Sequence, residues 1–225
     1  MKKYAVILAG GFGTRMGAAV PKQFLPLHGK PVLMYTLETF LKAFNDLEII
    51  LVIAADYLEM ARAIIQTLDG SERILLTEGG QTRFHSVKKG VQHIGQPSIV
   101  FIHDAVRCLL SANLIHRCYE MALEHGNAIP AVQAVDSVRI ETIHGNESLN
   151  RAQVKLIQTP QTFQSEVIKA AFEQEYDPAF TDEASLVERL GVKINLVDGE
   201  LTNIKITRPF DILIAEKILQ ENHFI

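Results

Sequence analysis

Short apolar runs alternate with amphipathic stretches along most of this chain. An uninterrupted apolar run of five to seven residues is typical of a buried strand, and apolar residues at every third or fourth position are typical of a helix. The strands predicted in this way are 4–8, 48–54, 73–77 and 98–103. The helices predicted between and after them are at about 31–43, 56–68, 82–93 and 111–125. Such alternation predicts an α/β fold, a Rossmann-like and mostly parallel twisted sheet with helices on both faces.

The pattern changes between about residues 135 and 157. Polar and apolar residues alternate over 135–140, and 143–148 is rich in turn-forming residues, which favours a hairpin. The stretch has too few apolar residues for a core of its own, so we interpret it as a β-arm that packs on another subunit. Beyond it we predict helices near 164–176, 181–190 and 209–221, and strands near 193–197 and 203–206. We therefore expect one domain over residues 1–225, with the arm as an insertion.

Composition narrows the class of protein. The chain has 225 residues, of which 48% are hydrophobic and 21% charged, as in globular enzymes with a sizeable core. A net charge of −4 argues against sequence-independent nucleic-acid binding. No apolar run approaches the roughly 20 residues that span a bilayer, no signal-peptide core precedes the first strand, and the two cysteines lack metal-ligand spacing. We expect a cytoplasmic protein without nucleic-acid or membrane partners.

The glycine-rich segment after the first predicted strand is the strongest chemical signal. It reads Leu-Ala-Gly-Gly-Phe-Gly-Thr-Arg-Met-Gly over 8–17, with Pro-Lys-Gln at 21–23. Its glycines let backbone N–H groups approach a phosphate without a Cβ in the way. The spacing fits neither a dinucleotide fingerprint nor a P-loop, but it is similar to the signature loop of nucleotidyltransferases. The candidate residues are Gly10, Gly11 and Gly13 for binding, and Arg15 and Lys22 for positive charge.

Two further segments fall at predicted strand ends, where parallel sheets bind ligands. A second glycine turn over 78–83 opens a helix whose unpaired N–H groups suit a phosphate or a base carbonyl, although Thr82 is also explained as an ordinary N-cap. Asp104 ends strand 98–103, and we interpret it as a carboxylate that holds a divalent metal, with a turn cap as the alternative. Arg107 can pair with a phosphate or with a carboxylate.

Candidates for a second substrate lie in the later half of the chain. Arg151 and Thr159 flank the base of the arm and can clamp a phosphorylated molecule, although an arm arginine is usually solvated. Lys205 lies between two isoleucines of a predicted strand, where it either faces solvent or reaches a phosphate at the sheet edge. Residues 181–184 match a helix start with acidic first-turn residues.

Taken in order, these segments resemble the 2-C-methyl-D-erythritol 4-phosphate cytidylyltransferases over nearly the whole chain. Besides the opening loop, the matching motifs are Gly-Gly-x-x-Arg-x-x-Ser-Val (79–87), Asp-Ala-x-Arg (104–107), Arg151 with Thr-Pro-Gln eight residues later, Thr-Asp-Glu-Ala (181–184) and Asn-Ile-Lys-Ile-Thr (203–207). The resemblance implies transfer of CMP from CTP to the 4-phosphate of methylerythritol, with release of pyrophosphate and with Mg²⁺ as cofactor, in the non-mevalonate route to isoprenoids.

The resemblance also implies a role for each matching residue. Arg15 and Lys22 would stabilise charge at the α-phosphate, and Arg151 and Lys205 would position the acceptor phosphate. The implied ligand contacts are Gly10, Gly11, Gly13, Gly80, Gln81 and Ser86 for CTP, and Asp104, Arg107, Ser137 and Thr159 for the acceptor. The family's arm crosses the two-fold axis of a homodimer, so Arg107, Ser137, Arg151 and Thr159 would act from the neighbouring chain.

Four positions depart from the family pattern. Cys108 replaces a proline, Ser137 a threonine and Lys155 a tryptophan, and Gln81 stands where an acidic residue can occur. These changes leave ribitol 5-phosphate open as an alternative acceptor. Two more functions are compatible with the motifs: a sugar-1-phosphate nucleotidyltransferase that uses UTP or GTP, and a non-catalytic nucleotide-binding protein on the same fold.

Overall fold

A computed structural model describes residues 1–11, 20–95 and 97–222 of the chain. Its helices are α1 (Val32–Ala43), α2 (Leu58–Ile65), α3 (Arg83–Gln92), α4 (Ala112–His125), α5 (Ser165–Phe172), α6 (Glu183–Glu188) and α7 (Pro209–Asn222). Its strands are β1 (Lys2–Leu8), β2 (Pro26–Leu27), β3 (Lys30–Pro31), β4 (Leu47–Ile53), β5 (Ile74–Glu78), β6 (Ser98–Asp104), β7 (Asn127–Gln133), β8 (Val138–Thr142), β9 (Gly145–Leu149), β10 (Lys155–Ile157), β11 (Gln161–Gln164) and β12 (Leu196–Asp198).

One large sheet crosses the molecule in the order β10-β7-β11-β6-β1-β4-β5, with β12 paired to β7. The strands β6, β1, β4 and β5 are parallel to one another, whereas β11 runs antiparallel to both β6 and β7. The order reverses at β1, because the chain first adds β4 and β5 on one side and later β6 on the other. In open α/β sheets, ligands bind at such a reversal, beyond the carboxyl ends of the strands.

Helices cover both faces of this sheet, as the alternation predicted. Neighbouring residues of β1 point to opposite faces: Ala5 and Ile7 pack with α1, α2 and α4, while Tyr4 and Val6 pack with α3, α5 and α6. Both faces of the central strands are therefore apolar, which explains why these strands read as continuous hydrophobic runs rather than alternating ones. The predicted fold class is confirmed.

Local signals set the ends of several helices. The Ser111 hydroxyl accepts a hydrogen bond from the backbone of Leu114 at 3.0 Å and caps α4, and Gly126 ends that helix in the left-handed region with φ of 88°. Asp182 and Ser185 form a reciprocal capping box at the start of α6. The acidic helix start predicted at 181–184 is therefore present.

The arm forms where the change of pattern predicted it. Strands β8 and β9 pair antiparallel as a separate two-stranded sheet, and β10 returns along β7 at the edge of the large sheet. The hairpin and the segment that leads into it expose several large apolar side chains to solvent. These are Val135, Ile140, Ile143 and Leu149, and Ile143 at the turn is 95% exposed.

One predicted strand is absent, and some strands of the large sheet were not predicted. Residues 203–206 form no strand, although Ile206 donates a backbone hydrogen bond to the carbonyl of Val106 at 2.9 Å. Strands β7 and β11 were not predicted, because β7 contains Pro130 and three alanine or asparagine residues, and β11 is mostly polar. These segments have low intrinsic strand propensity and are held in the sheet by their neighbours.

No helix among the described residues is long and apolar enough to cross a membrane. The two cysteines, Cys108 and Cys118, are both free and buried in apolar surroundings. Burial raises the pKa of each thiol to about 12, so neither is a reactive thiolate near neutral pH.

Candidate active site

A pocket with a cavity volume of about 230 Å³ opens beyond the carboxyl ends of β1 and β6. In the register of the sheet, Leu8 lies opposite Asp104, so the opening glycine loop and the predicted metal-side carboxylate leave the sheet side by side. The predicted site residues that line the pocket are Gly10, Gly11, Lys22, Ser86, Asp104 and Lys205. Gly13 and Arg15 lie outside the described residues.

Lys22 is a buried cation at the wall of this pocket. It lies in a single 3₁₀ turn, Lys22–Phe24, and its Nζ atom donates a hydrogen bond of 2.8 Å to the carbonyl oxygen of Ile206. The side-chain amide of Gln23, the next residue, donates a hydrogen bond to the carbonyl oxygen of Ala9. The Lys22 ammonium group is therefore fixed in place between the start of the opening loop and the segment that carries Lys205.

The opening loop leaves room for a ligand. A Cβ atom added to Gly10 or Gly11 would meet no described atom within 4 Å. The described residues therefore leave this backbone accessible from the pocket, as expected of a loop that a phosphate approaches closely.

The second glycine turn is built tightly against the first turn of α3. The Ser86 hydroxyl accepts a hydrogen bond from the Gly80 backbone at 3.0 Å and donates to the carbonyl of Thr82 at 2.9 Å. A Cβ on Gly80 would lie 2.5 Å from the Cβ of His85, so only glycine fits there. Thr82 also caps the helix, accepting from the backbone of His85, as its ordinary interpretation predicted.

Asp104 joins two cations at the floor of the pocket. Its Oδ2 atom lies 2.7 Å from Nζ of Lys205, and its Oδ1 atom lies 3.5 Å from Nε of Arg83. Burial alone would raise the pKa of Asp104, but the charges of Arg83 and Lys205 outweigh burial and hold the pKa below its usual range. Asp104 is therefore ionised throughout the physiological range of pH.

Arg83 lines the pocket but was not among the residues predicted to form the site. Its guanidinium forms a two-pronged pair with Glu183, with Nη1–Oε1 at 2.5 Å and Nη2–Oε2 at 2.9 Å. Burial lowers the pKa of Arg83, and the charges of Glu183 and Asp104 raise it further than burial lowers it. In the sequence, the only sign of a role for Arg83 was its short distance from two glycines. Its partner Glu183 is 100 positions away, so no local pattern could reveal the pair.

His103 and Thr159 form a buried hydrogen-bonded pair behind Asp104. The backbone N–H of Asp104 donates to Oγ1 of Thr159 at 3.2 Å, and this oxygen lies 3.0 Å from Nδ1 of His103. Nε2 of His103 lies 3.2 Å from the carbonyl oxygen of Arg107, so Nε2 carries the proton and Nδ1 accepts one. Burial lowers the pKa of His103 to about 3. His103 is therefore a fully buried residue near the end of β6.

Six predicted site residues lie outside the lining of this pocket in the single chain, and Gly80 of the second glycine turn is one of them. Thr159 is buried against His103, and Arg107 donates to the carbonyl of Asn203 at 2.9 Å. Gln81 is exposed on the second glycine turn. Ser137 and Arg151 are exposed on the arm, where Arg151 donates to the carbonyl of Val135 at 2.8 Å.

No group of three or more histidine, cysteine or acidic side chains that could hold a metal ion occurs in the described part of the chain. Asp104 is the carboxylate that lines the pocket. Its two oxygen atoms are of the kind that Mg²⁺ prefers, although both face cations of the protein.

Comparison with known proteins relates this geometry to one family. The family model for 2-C-methyl-D-erythritol 4-phosphate cytidylyltransferase (IspD) matches residues 4–221 of the chain. The chain belongs to this family. It is a cytidylyltransferase, and the resemblance stated from the sequence is confirmed.

Individual relatives agree with the family model. The 2-C-methyl-D-erythritol 4-phosphate cytidylyltransferase of Bacteroides thetaiotaomicron is 46% identical over 97% of this chain and 100% of its own length. That of Bacteroides fragilis is 44% identical over the same shares. Both carry the methylerythritol name, so the alternative of a ribitol phosphate enzyme is not favoured.

Solved structures place this cytidylyltransferase in the same fold. The crystal structure of 4-diphosphocytidyl-2C-methyl-D-erythritol synthase from Anaerococcus prevotii superposes with a TM-score of 0.85 at 32% identity, covering 97% of this chain and 96% of that one. The enzyme from Francisella tularensis gives a TM-score of 0.80 at 30% identity, over 96% and 99% of the two chains.

Proposed function

We propose that the pocket binds CTP and 2-C-methyl-D-erythritol 4-phosphate and joins them. An oxygen of the acceptor phosphate forms a bond to the α-phosphorus of CTP while the bond from that phosphorus to the bridging oxygen breaks. Pyrophosphate leaves with the bond electrons, and 4-diphosphocytidyl-2-C-methyl-D-erythritol is the product. One observation carries the proposal: in a chain of this family, Lys22, Lys205 and Asp104 meet the opening glycine loop and Ser86 in one pocket.

Positioned cations supply the catalysis. Phosphoryl-type transfer needs little covalent help from a protein, and it is accelerated mainly by alignment and by charge neutralisation. Lys22 supports this role because its ammonium group is buried and is held by the Ile206 carbonyl at the wall of the pocket. Arg15 is the second cation proposed at the α-phosphate. The acceptor phosphate is already ionised near neutral pH, so the reaction needs no general base.

The two glycine turns bind CTP from opposite sides. Gly10, Gly11 and Gly13 present backbone N–H groups to the triphosphate, and the open space beside the first two supports close approach. Gly80, Gln81 and Ser86 hold the cytidine part at the N-terminus of α3. Ser86 supports this assignment because it lines the pocket and its hydroxyl accepts a hydrogen bond from the Gly80 backbone.

Lys205 and Asp104 bind the acceptor on the other side of the pocket. The Lys205 side chain is 40% exposed, so its ammonium group can contact an incoming phosphate while one of its hydrogen bonds stays on Asp104. Asp104 is also the proposed protein ligand of Mg²⁺, which would otherwise be held by the phosphate oxygens of CTP. Mg²⁺, when bound, neutralises the charge that the pyrophosphate carries away.

The remaining acceptor contacts come from a second copy of the chain. Arg107, Ser137, Arg151 and Thr159 are proposed to act on the neighbouring pocket of a homodimer. The exposed apolar side chains of the arm support dimerisation, because β8 and β9 form a two-stranded sheet of their own and such residues gain stability when they are buried against a partner. The free and buried thiols of Cys108 and Cys118 suit the reducing cytoplasm, where we place the enzyme.

A nucleotide scan tests the proposal. Pyrophosphate release is measured with the methylerythritol phosphate acceptor, Mg²⁺ and each of CTP, UTP, GTP and ATP in turn. The proposal expects turnover with CTP to exceed turnover with the other three nucleotides by at least tenfold, an energy difference of about 1.4 kcal/mol in the barrier. Equal rates with CTP and UTP would overturn the assignment of the nucleotide.

A further inference from the structure

One buried carboxylate lies outside the pocket. A row of charged side chains links it to the side of the pocket that we assign to the acceptor phosphate. Glu183 is the first residue of α6, and its side chain is only 2% exposed. It does not line the pocket. Its carboxylate instead pairs with Arg83, which does line it. The sequence explained Glu183 as an acidic residue that stabilises the start of a helix. The structure shows that it also pairs with Arg83.

The row alternates in sign from α6 to the segment before α7. Glu183 holds both Nη atoms of Arg83, the Nε atom of the same guanidinium lies 3.5 Å from Asp104, and Asp104 lies 2.7 Å from Nζ of Lys205. A guanidinium is a rigid planar fork. Fixing its two outer nitrogens on Glu183 therefore also fixes the position of its Nε atom, the one that lies near Oδ1 of Asp104.

The surroundings of α6 hold Glu183 firmly in this row. Gln161 of β11 donates through its amide nitrogen to Asp182 at 2.8 Å and accepts from the backbone of Ala184 at 2.8 Å. The start of α6 is thus fixed to the large sheet on both sides of Glu183. A carboxylate on so rigid a support sets the position of its partner more exactly than a mobile surface residue does.

We infer that Glu183 is a positioning residue of the reaction, which acts through Arg83 and Asp104 on Lys205. With Arg83 held on Glu183, Asp104 shares its charge between two cations, and the Lys205 ammonium group stays available to the acceptor phosphate. Without Glu183, Arg83 is free to turn and pair fully with Asp104, and the contact between Asp104 and Lys205 changes. This inference rests on the proposed role of Lys205.

A double-mutant cycle between Glu183→Gln and Lys205→Ala tests the inference. The measurement is kcat/KM for the acceptor at saturating CTP, taken from pyrophosphate release. We expect Glu183→Gln to lower this value by roughly 10- to 100-fold, the range found when a functional group loses its supporting partner in metal sites. In the Lys205→Ala background the same change should have less than about a twofold effect, because coupled residues are not additive.

Two further variants separate positioning from general stability. Glu200→Gln is the matched control, because Glu200 is also a largely buried carboxylate, and it bonds Ser111 and lies 3.8 Å from Arg117 rather than facing the pocket. It should leave kcat/KM for the acceptor unchanged. Glu183→Asp keeps the charge and should recover part of the loss, and it takes the place of Glu183→Gln in the cycle if thermal melting shows that the latter is unfolded.

The outcomes separate the inference from the proposal on which it rests. Equal losses from the Glu183 change in both backgrounds would overturn the inference and leave the proposed function in place. Unchanged acceptor kinetics in Lys205→Ala alone would contradict the proposed role of Lys205 itself. A loss confined to the Lys205-containing background supports both.

Discussion

The ammonium group of Lys22 and the carbonyl oxygen of Ile206 are 2.8 Å apart, although 184 residues separate them in the chain. Ile206 directly follows Lys205, whose ammonium group contacts Asp104 in the same pocket. The two cations that we assign to the two substrates are thus positioned by one short piece of backbone. A substitution at either lysine can therefore alter the position of the other. Substitutions at these lysines test the assigned roles directly.

Replacing Lys22 by alanine should lower kcat by about 10²–10³-fold, the usual effect of removing one group that stabilises developing charge. The fold should persist, because the Ile206 backbone that Lys22 contacts is also held by its own hydrogen bond to the carbonyl of Val106 at 2.9 Å. Pyrophosphate release measures the rate, and circular dichroism checks the fold. Lys42→Ala is the matched control, since Lys42 is an exposed lysine that lies 3.8 Å from Glu38. If Lys22→Ala released pyrophosphate as fast as the control, the assigned role of Lys22 would be wrong.

Replacing Gly80 by alanine should both destabilise the chain and weaken CTP binding. The new Cβ would lie 2.5 Å from the Cβ of His85 and 2.9 Å from its carbonyl carbon, and such overpacking costs about 1–3 kcal/mol. Chemical denaturation measures the free energy of unfolding, and calorimetry measures the CTP dissociation constant.

Gly95 provides the control for the Gly80 prediction, because a Cβ there meets no described atom within 4 Å. Gly95→Ala should keep CTP affinity and leave the unfolding free energy unchanged or raise it by up to about 1 kcal/mol. Similar losses of stability in both variants would show that the fit of Gly80 against His85 is not the cause.

Mixing two inactive variants tests whether the arm acts on the neighbouring chain. Lys205→Ala removes a pocket cation, and Arg151→Ala removes an arm cation. If each pocket uses the partner's arm, random exchange should restore about a quarter of the wild-type sites, since half of the two-fold dimers are mixed and each has one intact site. The readout is pyrophosphate release after the variants are unfolded and refolded together. Activity that stays at the level of the separate variants would place Arg151 at the pocket of its own chain or away from the site.

His103 should make stability fall with acidity between about pH 6.5 and pH 3. Its folded pKa of about 3 lies below the ordinary value of about 6.5, so the unfolded chain binds a proton that the folded chain does not. The free energy of unfolding should therefore be highest above pH 6.5 and fall with a slope approaching 1.4 kcal/mol per pH unit, about the limit for one proton. The charged groups beside His103 are Asp104, which opposes the fall in pKa, and Arg107, which promotes it.

The His103 prediction is checked by urea unfolding at several pH values. In His103→Gln the slope over this window should flatten, even though the variant starts from a lower stability. A slope that is the same in both proteins would assign the acid sensitivity to other groups.

Local pattern was enough to predict which strand ends meet beside the pocket, but not how the side chains around it are held. The ends of β1 and β6 were predicted from apolar runs, and parallel strands bring such ends together, so Gly10 and Asp104 meet as expected. Lys205 reaches the pocket although its segment is no strand, because the Ile206 backbone is bonded to Val106 at the end of β6. Periodicity cannot show the pairing of Arg83 with Glu183, since nothing local links two residues that are 100 positions apart.

The most direct test of the account compares acceptors with the purified enzyme and CTP. Methylerythritol 4-phosphate and ribitol 5-phosphate are supplied in parallel with Mg²⁺, pyrophosphate is counted, and the mass of the coupled product is measured. The account predicts one pyrophosphate for each molecule of 4-diphosphocytidyl-2-C-methyl-D-erythritol, with kcat/KM for methylerythritol phosphate at least about 100-fold above that for ribitol phosphate, a difference of about 2.7 kcal/mol in the barrier. A preference for ribitol phosphate, or no coupled product with methylerythritol phosphate, would contradict it.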